Sequence, residues 1–261
     1  MVMVMVMVLA AACGGGGGNN GDDTPGDGAV DTPPDMPPGP PKKIGVVGAF
    51  EETLAGAGSF TGVLAQMIDG TASGTPDRVE GPCLVHFLAG ETAMLVSAGT
   101  ITVTRNADVV TLVPDGTNTY AASLRQGLIY KGGDALAVAA AGATVPAFSG
   151  NVSFPAAIAV TDPTVFPAKV KDGFAVAWTG AGAVRVQLAQ GGNVRITCDF
   201  TSGTSGMVPA AALSDLVPGN QQAMQITLLI GTHAATALTA GDFDITVEAL
   251  NAEFAAIGFA Q

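Results

Sequence analysis

The stretch VRVQLAQGGNVRITCDF, residues 184–200, carries the clearest secondary-structure signal in the chain. Apolar and polar residues alternate on both sides of Gly191-Gly192-Asn193, a tripeptide typical of a turn. Because strand side chains alternate between two faces, we predict a β-hairpin whose polar set, which includes Gln187 and Arg195, faces solvent. The set predicted to face inward is Val184, Val186, Leu188, Val194, Ile196, Cys198 and Phe200.

Similar short runs recur along the chain and are separated by turns rich in Gly, Pro and Asp, without a long helical period. This pattern predicts an all-β fold of two antiparallel β-sandwich units, at residues 42–150 and 151–261. The second unit has room for about seven strands, as in an immunoglobulin or fibronectin type III sandwich. The predicted strands are Ile44–Phe50, Val79–Ala89, Thr100–Arg105, Val109–Pro114, Gly127–Tyr130, Ala135–Ala141, Phe174–Thr179, Val184–Gln190, Val194–Thr201, Ala223–Gly231 and Asp242–Leu250.

Composition excludes several classes of protein. The 261 residues are 48% hydrophobic and 12% charged, with a net charge of −12. This apolar content suffices for a packed core, so the chain is not disordered throughout. Nucleic-acid binding requires a basic surface, which the acidic balance argues against. No apolar run reaches the roughly 18 residues that span a bilayer.

Residues 1–12, MVMVMVMVLAAA, directly precede Cys13. An apolar segment of this length is typical of a secretory signal peptide and is short for a membrane helix. The three alanines at positions 10–12 followed by cysteine resemble the lipobox of bacterial lipoproteins. That resemblance implies cleavage before Cys13 and lipidation of its thiol and amino groups. A plain signal peptide, or a buried Met/Val strand with Cys13 as an ordinary thiol, are the alternatives.

The segment that follows Cys13 is predicted to be a disordered linker that extends to Pro41. Between Gly14 and Pro41 it holds nine Gly, seven Pro and five Asp, and no basic residue. Such a composition buries too little apolar surface to offset the entropy of ordering. Its aspartates lack the spacing of a calcium loop. In the lipoprotein family, Asp directly after the lipidated cysteine favours the inner membrane, so Gly14 implies the outer membrane.

Four segments of the body resemble secreted lipoproteins of unknown function from myxobacteria and their relatives. They are ATVPAFSG at 143–150, FAVAWTG at 174–180, VRITCDF at 194–200 and GMVPAAALSDL at 206–216. The resemblance implies a fold and a location but no chemistry. We expect Trp178 to pack in a core, and we expect a single helical turn after Pro209, which suits a first helical position.

Motifs for catalysis or cofactor binding are absent from the sequence, so we predict no enzyme activity, no cofactor and no metal. His86 and His233 are far apart, and we expect both to be structural. Glu51 and Glu52 would point to opposite faces of a strand, a poor geometry for paired acid–base chemistry. The best acidic set is Asp242, Asp244 and Glu248, which alternation places on one strand face. These carboxylates could bind calcium, but a solvated strand face explains their pattern without a metal.

The remaining cysteines, Cys83 and Cys198, are 115 residues apart in sequence and fall in different predicted sandwiches. We therefore predict two buried free thiols rather than a disulfide. The expected function is a non-catalytic envelope protein, anchored in the membrane by lipid, with a protein or polysaccharide partner. The alternative is a ligand-binding module or an enzyme with a loop-built site, which a cluster of His86, Tyr120 and Tyr130 around a concave pocket would favour.

Overall fold

The computed structural model describes residues 42–54, 58–70, 76–87, 93–190, 194–219 and 224–259. The predicted signal peptide, Cys13 and the linker lie outside these residues. The regular structure of the described chain is mostly β-strand, with short 3-10 helices at Val170–Asp172 and Ala210–Leu213. Neither helix, nor any other in the described ranges, is long and apolar enough to cross a membrane. The all-β prediction is confirmed.

The strands form three sheets in the described part of the chain. In chain order they are β1 (Lys42–Leu54), β2 (Gly58–Gly70), β3 (Arg78–Glu80), β4 (Cys83–Phe87), β5 (Ala93–Leu95), β6 (Ile101–Arg105), β7 (Asp108–Leu112), β8 (Ser123–Gln126), β9 (Ala135–Ala140), β10 (Phe148–Ser153), β11 (Ala159–Asp162), β12 (Phe174–Thr179), β13 (Val184–Gln190), β14 (Val194–Phe200), β15 (Ser205–Val208), β16 (Gln225–Ala240) and β17 (Phe243–Phe259).

The largest sheet has ten strands in the order β3-β4-β14-β13-β16-β17-β1-β2-β5, with β8 also paired to β2. The second sheet has the order β10-β9-β6-β7, and the third β11-β12-β15. The pairing of β1 with β17 is parallel, whereas the other described strand pairs are antiparallel. The prediction of purely antiparallel sheets is therefore wrong at the centre of the molecule.

Both smaller sheets pack on one face of the large sheet, which we call the outer face. The long strands β16 and β17 contribute to both cores. The first core, against the second sheet, includes Val47, Met67, Ile101, Leu136, Phe154, Phe243 and Val247. The second core, against the third sheet, includes Val85, Val176, Trp178, Val186, Ile196, Leu213 and Leu228. This layered arrangement fits a β-sandwich.

The two halves of the sequence share the large sheet. Strands β1 and β2 from the first half lie beside β17 and β16 from the second. The boundary expected between residues 150 and 151 falls within β10. The division into two domains stays a prediction.

The large sheet is strongly curled. Strand β4 ends at Phe87 and β5 begins at Ala93, so at most about 23 Å of chain joins them. In the sheet order, seven spacings of about 4.8 Å separate these two strands. The C-terminal end of β4 lies level with the C-terminal end of β17. The N-terminal end of β5 lies level with the N-terminal end of β17, which is 17 residues long. A flat sheet cannot meet both conditions. Since the smaller sheets occupy the outer face, the curl closes around the opposite face, which we call the inner face.

The hairpin at residues 184–200 is confirmed as β13 and β14, with Val184 opposite Phe200 and Gln190 opposite Val194. Its apolar set faces the second core as predicted. The prediction for its polar set is partly wrong, because Gln187 and Arg195 are buried. These two side chains lie on the inner face, where the curl removes them from water.

Four local predictions have different outcomes. Trp178 is buried in the second core, as expected. A short 3-10 helix follows Pro209, which takes the position before the first helical residue. The segment predicted as one strand at 79–89 is two, because the chain turns at Gly81, where φ is +59°. Glycine adopts this left-handed conformation without the steric cost of a side chain. No strand is found at the predicted residues 127–130; the strand in this region is β8, which ends at Gln126.

The prediction of free thiols is wrong. Cys83 and Cys198 form a disulfide with a Cα–Cα distance of 3.9 Å. Strand β4 pairs with β14 and places these residues directly opposite each other. The prediction failed because it assigned the cysteines to separate sandwiches, whereas one sheet contains both.

Candidate functional site

The inner face of the large sheet is the main candidate site. An apolar band crosses its middle, and every member belongs to the large sheet itself. The band consists of Phe50, Ala189, Leu229, Leu250, Ala252 and Ala255. Polar side chains lie at both ends of the band.

Three side chains of this face have buried polar atoms without hydrogen-bond partners. Gln187 is 1% exposed, and neither its amide oxygen nor its amide nitrogen has a hydrogen bond. Glu248 is also 1% exposed, and its Oε1 has no partner. The Oε1 atom of Gln66, on β2, is likewise unpaired. Unpaired buried groups of this kind cost stability, and a water is accommodated beside one only where the structure leaves room for it.

Glu248 is held by the register of three neighbouring strands. It lies opposite Gly48 on β1 and opposite Ala235 on β16. Its Oε2 is 3.4 Å from Nε2 of His233, which lies within β16. The carboxylate thus has one oxygen near a ring nitrogen, and its other oxygen has no hydrogen-bond partner.

The predicted acidic set does not form one site. Asp242 lies in the turn before β17, where its Oδ2 is 2.8 Å from Nζ of Lys43. Asp244 is exposed. The expectation of a solvated face is wrong for Glu248, because the curl buries it. In the described ranges, no three His, Cys, Asp or Glu side chains are grouped to hold a metal ion.

Glu51 and Glu52 point to opposite faces, as predicted. Glu51 is buried on the outer face, where its Oε1 accepts hydrogen bonds from Oγ1 of Thr61 at 3.2 Å and N–H of Tyr130 at 2.5 Å. Glu52 lies on the inner face beside Ala252. Burial raises the pKa of the Glu52 carboxyl above its usual range. Glu52 is therefore a second carboxylate beside the apolar band.

A smaller crevice opens between β2, β7 and β8, with a cavity volume of about 10 Å³. That is room for about one water molecule, far below the size of a small-molecule site. Arg125 and Asp108 form an ion pair across it, with Nη1–Oδ1 at 3.1 Å. Burial, followed by the Asp108 charge, raises the pKa of the Tyr130 phenol. The crevice lining is Thr61, Gly62, Val63, Asp108, Val110, Ser123, Arg125, Ile129 and Tyr130.

The three residues that would have favoured a loop-built pocket do not come together. Tyr120 and Tyr130 are buried in the first core. Tyr120 is structural there: its hydroxyl accepts from N–H of Ala98 and donates to the carbonyl of Gly99. His86 lies on β4 opposite Arg195, and burial, followed by the Arg195 charge, lowers its pKa.

The sequence did not identify the inner face. Gln66, Gln187 and Glu248 each stand alone among apolar neighbours, so none belongs to a motif. The available signal was β2, GSFTGVLAQMIDG, whose apolar residues occupy both faces and thereby indicate a strand buried on both sides.

A scan against protein-family models and a search of curated proteins found no match to this chain.

Proposed function

We propose that the protein is a non-catalytic, lipid-anchored component of the bacterial cell envelope. Cys13 carries the lipid, and the outer membrane is the location. The observation that carries the proposal is the Cys83–Cys198 disulfide. The chain has three cysteines, so this bond leaves Cys13 as the one outside it.

The disulfide supports export. Disulfides persist in oxidising compartments such as the bacterial periplasm and are rare in the cytosol. Both sulfur-bearing residues are fully buried, which is typical of a structural bond rather than a redox-active one. An apolar N-terminal segment that ends in small residues and cysteine is the export signal consistent with this bond.

The position of β1 suits a tethered body. The first described residue, Lys42, directly follows the predicted linker. From there β1 runs between β2 and β17 and pairs with both along most of its length. A load applied through the linker would therefore be shared by two hydrogen-bonded neighbours. The 28-residue segment from Gly14 to Pro41 would span about 30 Å as a flexible chain.

The finer fold assignment is part of this proposal. We infer that the body resembles the myxobacterial lipoproteins and that its second unit is immunoglobulin- or fibronectin type III-like. Trp178 supports this, because it packs in the second core with its ring centroid 6.0 Å from that of Phe200.

The expected role is surface interaction or structure, with an envelope protein or polysaccharide as partner. The inner face favours a second candidate, a ligand-binding module. That candidate rests on the buried unpaired atoms of Gln187 and Glu248.

The experiment is metabolic labelling of the full chain with a clickable palmitate analogue in a bacterial host. We expect label on the unaltered protein and none on Cys13→Ser. The matched control replaces the other two cysteines, Cys83→Ala with Cys198→Ala, and should keep the label. Label on the Cys13→Ser chain, or none on the unaltered protein, would overturn the anchor.

A further inference from the structure

The two buried tyrosines of the first core differ in how their hydroxyl groups are satisfied. The hydroxyl of Tyr120 accepts a hydrogen bond from N–H of Ala98 and donates one to the carbonyl of Gly99. Tyr130 is also only 6% exposed, yet its hydroxyl makes no hydrogen bond within the described ranges of the chain. A buried tyrosine hydroxyl normally has a partner, so the Tyr130 hydroxyl calls for one from outside the chain.

The Tyr130 hydroxyl lies at the crevice between β2, β7 and β8. The Tyr130 ring packs against Phe154, with centroids 5.0 Å apart, and the residue also lines the crevice. Burial raises the pKa of the phenol, the Asp108 charge raises it further, and the Arg125 charge lowers it. Asp108 and Arg125 line the crevice too. Because both charges act on the phenol oxygen, this oxygen is at the crevice end of the ring.

The size of the crevice limits its occupant to a very small molecule. The cavity volume of about 10 Å³ is room for about one water molecule. Sugars, amino acids and other small metabolites need a site many times larger.

The charges of the crevice favour a neutral occupant. Asp108 and Arg125 are the two charged residues of the lining. Nη1 of Arg125 is 3.1 Å from each carboxylate oxygen of Asp108. A cation in the crevice would be attracted by one of these groups and repelled by the other, and so would an anion. A water molecule both donates and accepts hydrogen bonds, and it therefore suits both groups.

We propose that the crevice binds one ordered water molecule, which accepts a hydrogen bond from the Tyr130 hydroxyl and donates one to the Asp108 carboxylate. Buried waters have two to four polar partners, and the hydroxyl of Ser123, which also lines the crevice, is the third. Asp108 begins β7 of the second sheet, whereas Ser123 begins β8 of the large sheet. The water thus joins the two sheets where their side chains leave a gap. This site is independent of the lipid anchor.

The test is a crystal structure of the full chain at a resolution that shows ordered water. We expect an isolated density peak at about 2.8 Å from Oη of Tyr130 and from one carboxylate oxygen of Asp108. An empty crevice would overturn the proposal. So would a peak with the electron count of a heavier ion.

Tyr130→Phe removes only the hydroxyl, and we expect the peak to be lost. Tyr120→Phe is the matched control, because both partners of that hydroxyl are backbone groups, and it should keep the peak. A peak that is unchanged in Tyr130→Phe would contradict the proposal. Thermal melting confirms that each variant is folded. If Tyr130→Phe does not fold, Ser123→Ala takes its place and should lower the occupancy of the water.

Discussion

The two faces of the large sheet differ in how their buried polar side chains are satisfied. On the outer face, two buried polar side chains are well paired: Glu51 accepts two hydrogen bonds, and Gln190 makes three with Val217 and Met224. On the inner face, Gln187 and Glu248 keep unpaired atoms. The difference indicates that buried polar groups on the outer face add to stability, whereas the unpaired groups on the inner face cost stability.

The largest expected effect concerns the disulfide on the outer face. Replacing both Cys83 and Cys198 by alanine should lower the free energy of unfolding by about 4 kcal/mol, because the bond closes a loop of 115 residues. Urea denaturation without reductant measures this loss. A loss below about 1 kcal/mol would show that the strand pairing alone holds β4 in place.

A matched pair of leucines compares packing on the two faces. Leu228 lies in the second core, and Leu250 lies in the inner apolar band. We expect Leu228→Ala to cost about 3 to 4 kcal/mol and Leu250→Ala about 2 kcal/mol. The inner site costs less because no second sheet packs against it in the described structure. Equal losses in urea denaturation would contradict this difference between the faces.

Two glutamines on β13 compare polar satisfaction. Gln190→Leu removes three hydrogen bonds and should destabilise the protein by about 2 kcal/mol. Gln187→Leu removes an amide without partners and should stabilise it by up to about 1 kcal/mol. Thermal denaturation checks both signs. Destabilisation by Gln187→Leu would mean that this amide has a partner in solution.

The smallest expected effect is the pH dependence from Glu52. Its folded pKa lies above its unfolded value because burial disfavours the charge. The folded state therefore holds the proton more tightly, and stability falls as the pH rises from the unfolded to the folded pKa. We expect Glu52→Gln to remove this fall and to raise stability at pH 7 by less than about 1 kcal/mol. Unchanged stability profiles between pH 4 and pH 8 would refute it.

Local patterns in the sequence predicted local structure. The 184–200 hairpin, buried Trp178 and the turn after Pro209 all follow from residues within about 17 positions of one another. Alternation correctly predicted which face of the sheet each hairpin side chain lies on. It did not show that both faces would be buried, since that depends on the curl of the whole sheet.

Long-range pairing could not be predicted from such patterns. Strand β2 was missed because its two faces are both apolar, which removes the alternation. The parallel pair β1–β17 joins opposite ends of the body. The disulfide depends on β4 crossing to β14, and no local signal specifies that crossing. The surroundings of Glu248 could not be predicted for the same reason, because Gly48 and Glu248 are brought together only by the pairing of β1 with β17.

The central claim, an exported protein with lipid on Cys13 and a disulfide in its body, is tested most directly by mass spectrometry of the chain isolated from membranes. The account predicts a mature N-terminus at Cys13 that carries acyl groups, and Cys83 and Cys198 peptides recovered as one linked pair without reductant. A mature chain that begins elsewhere with an unmodified Cys13 would contradict it.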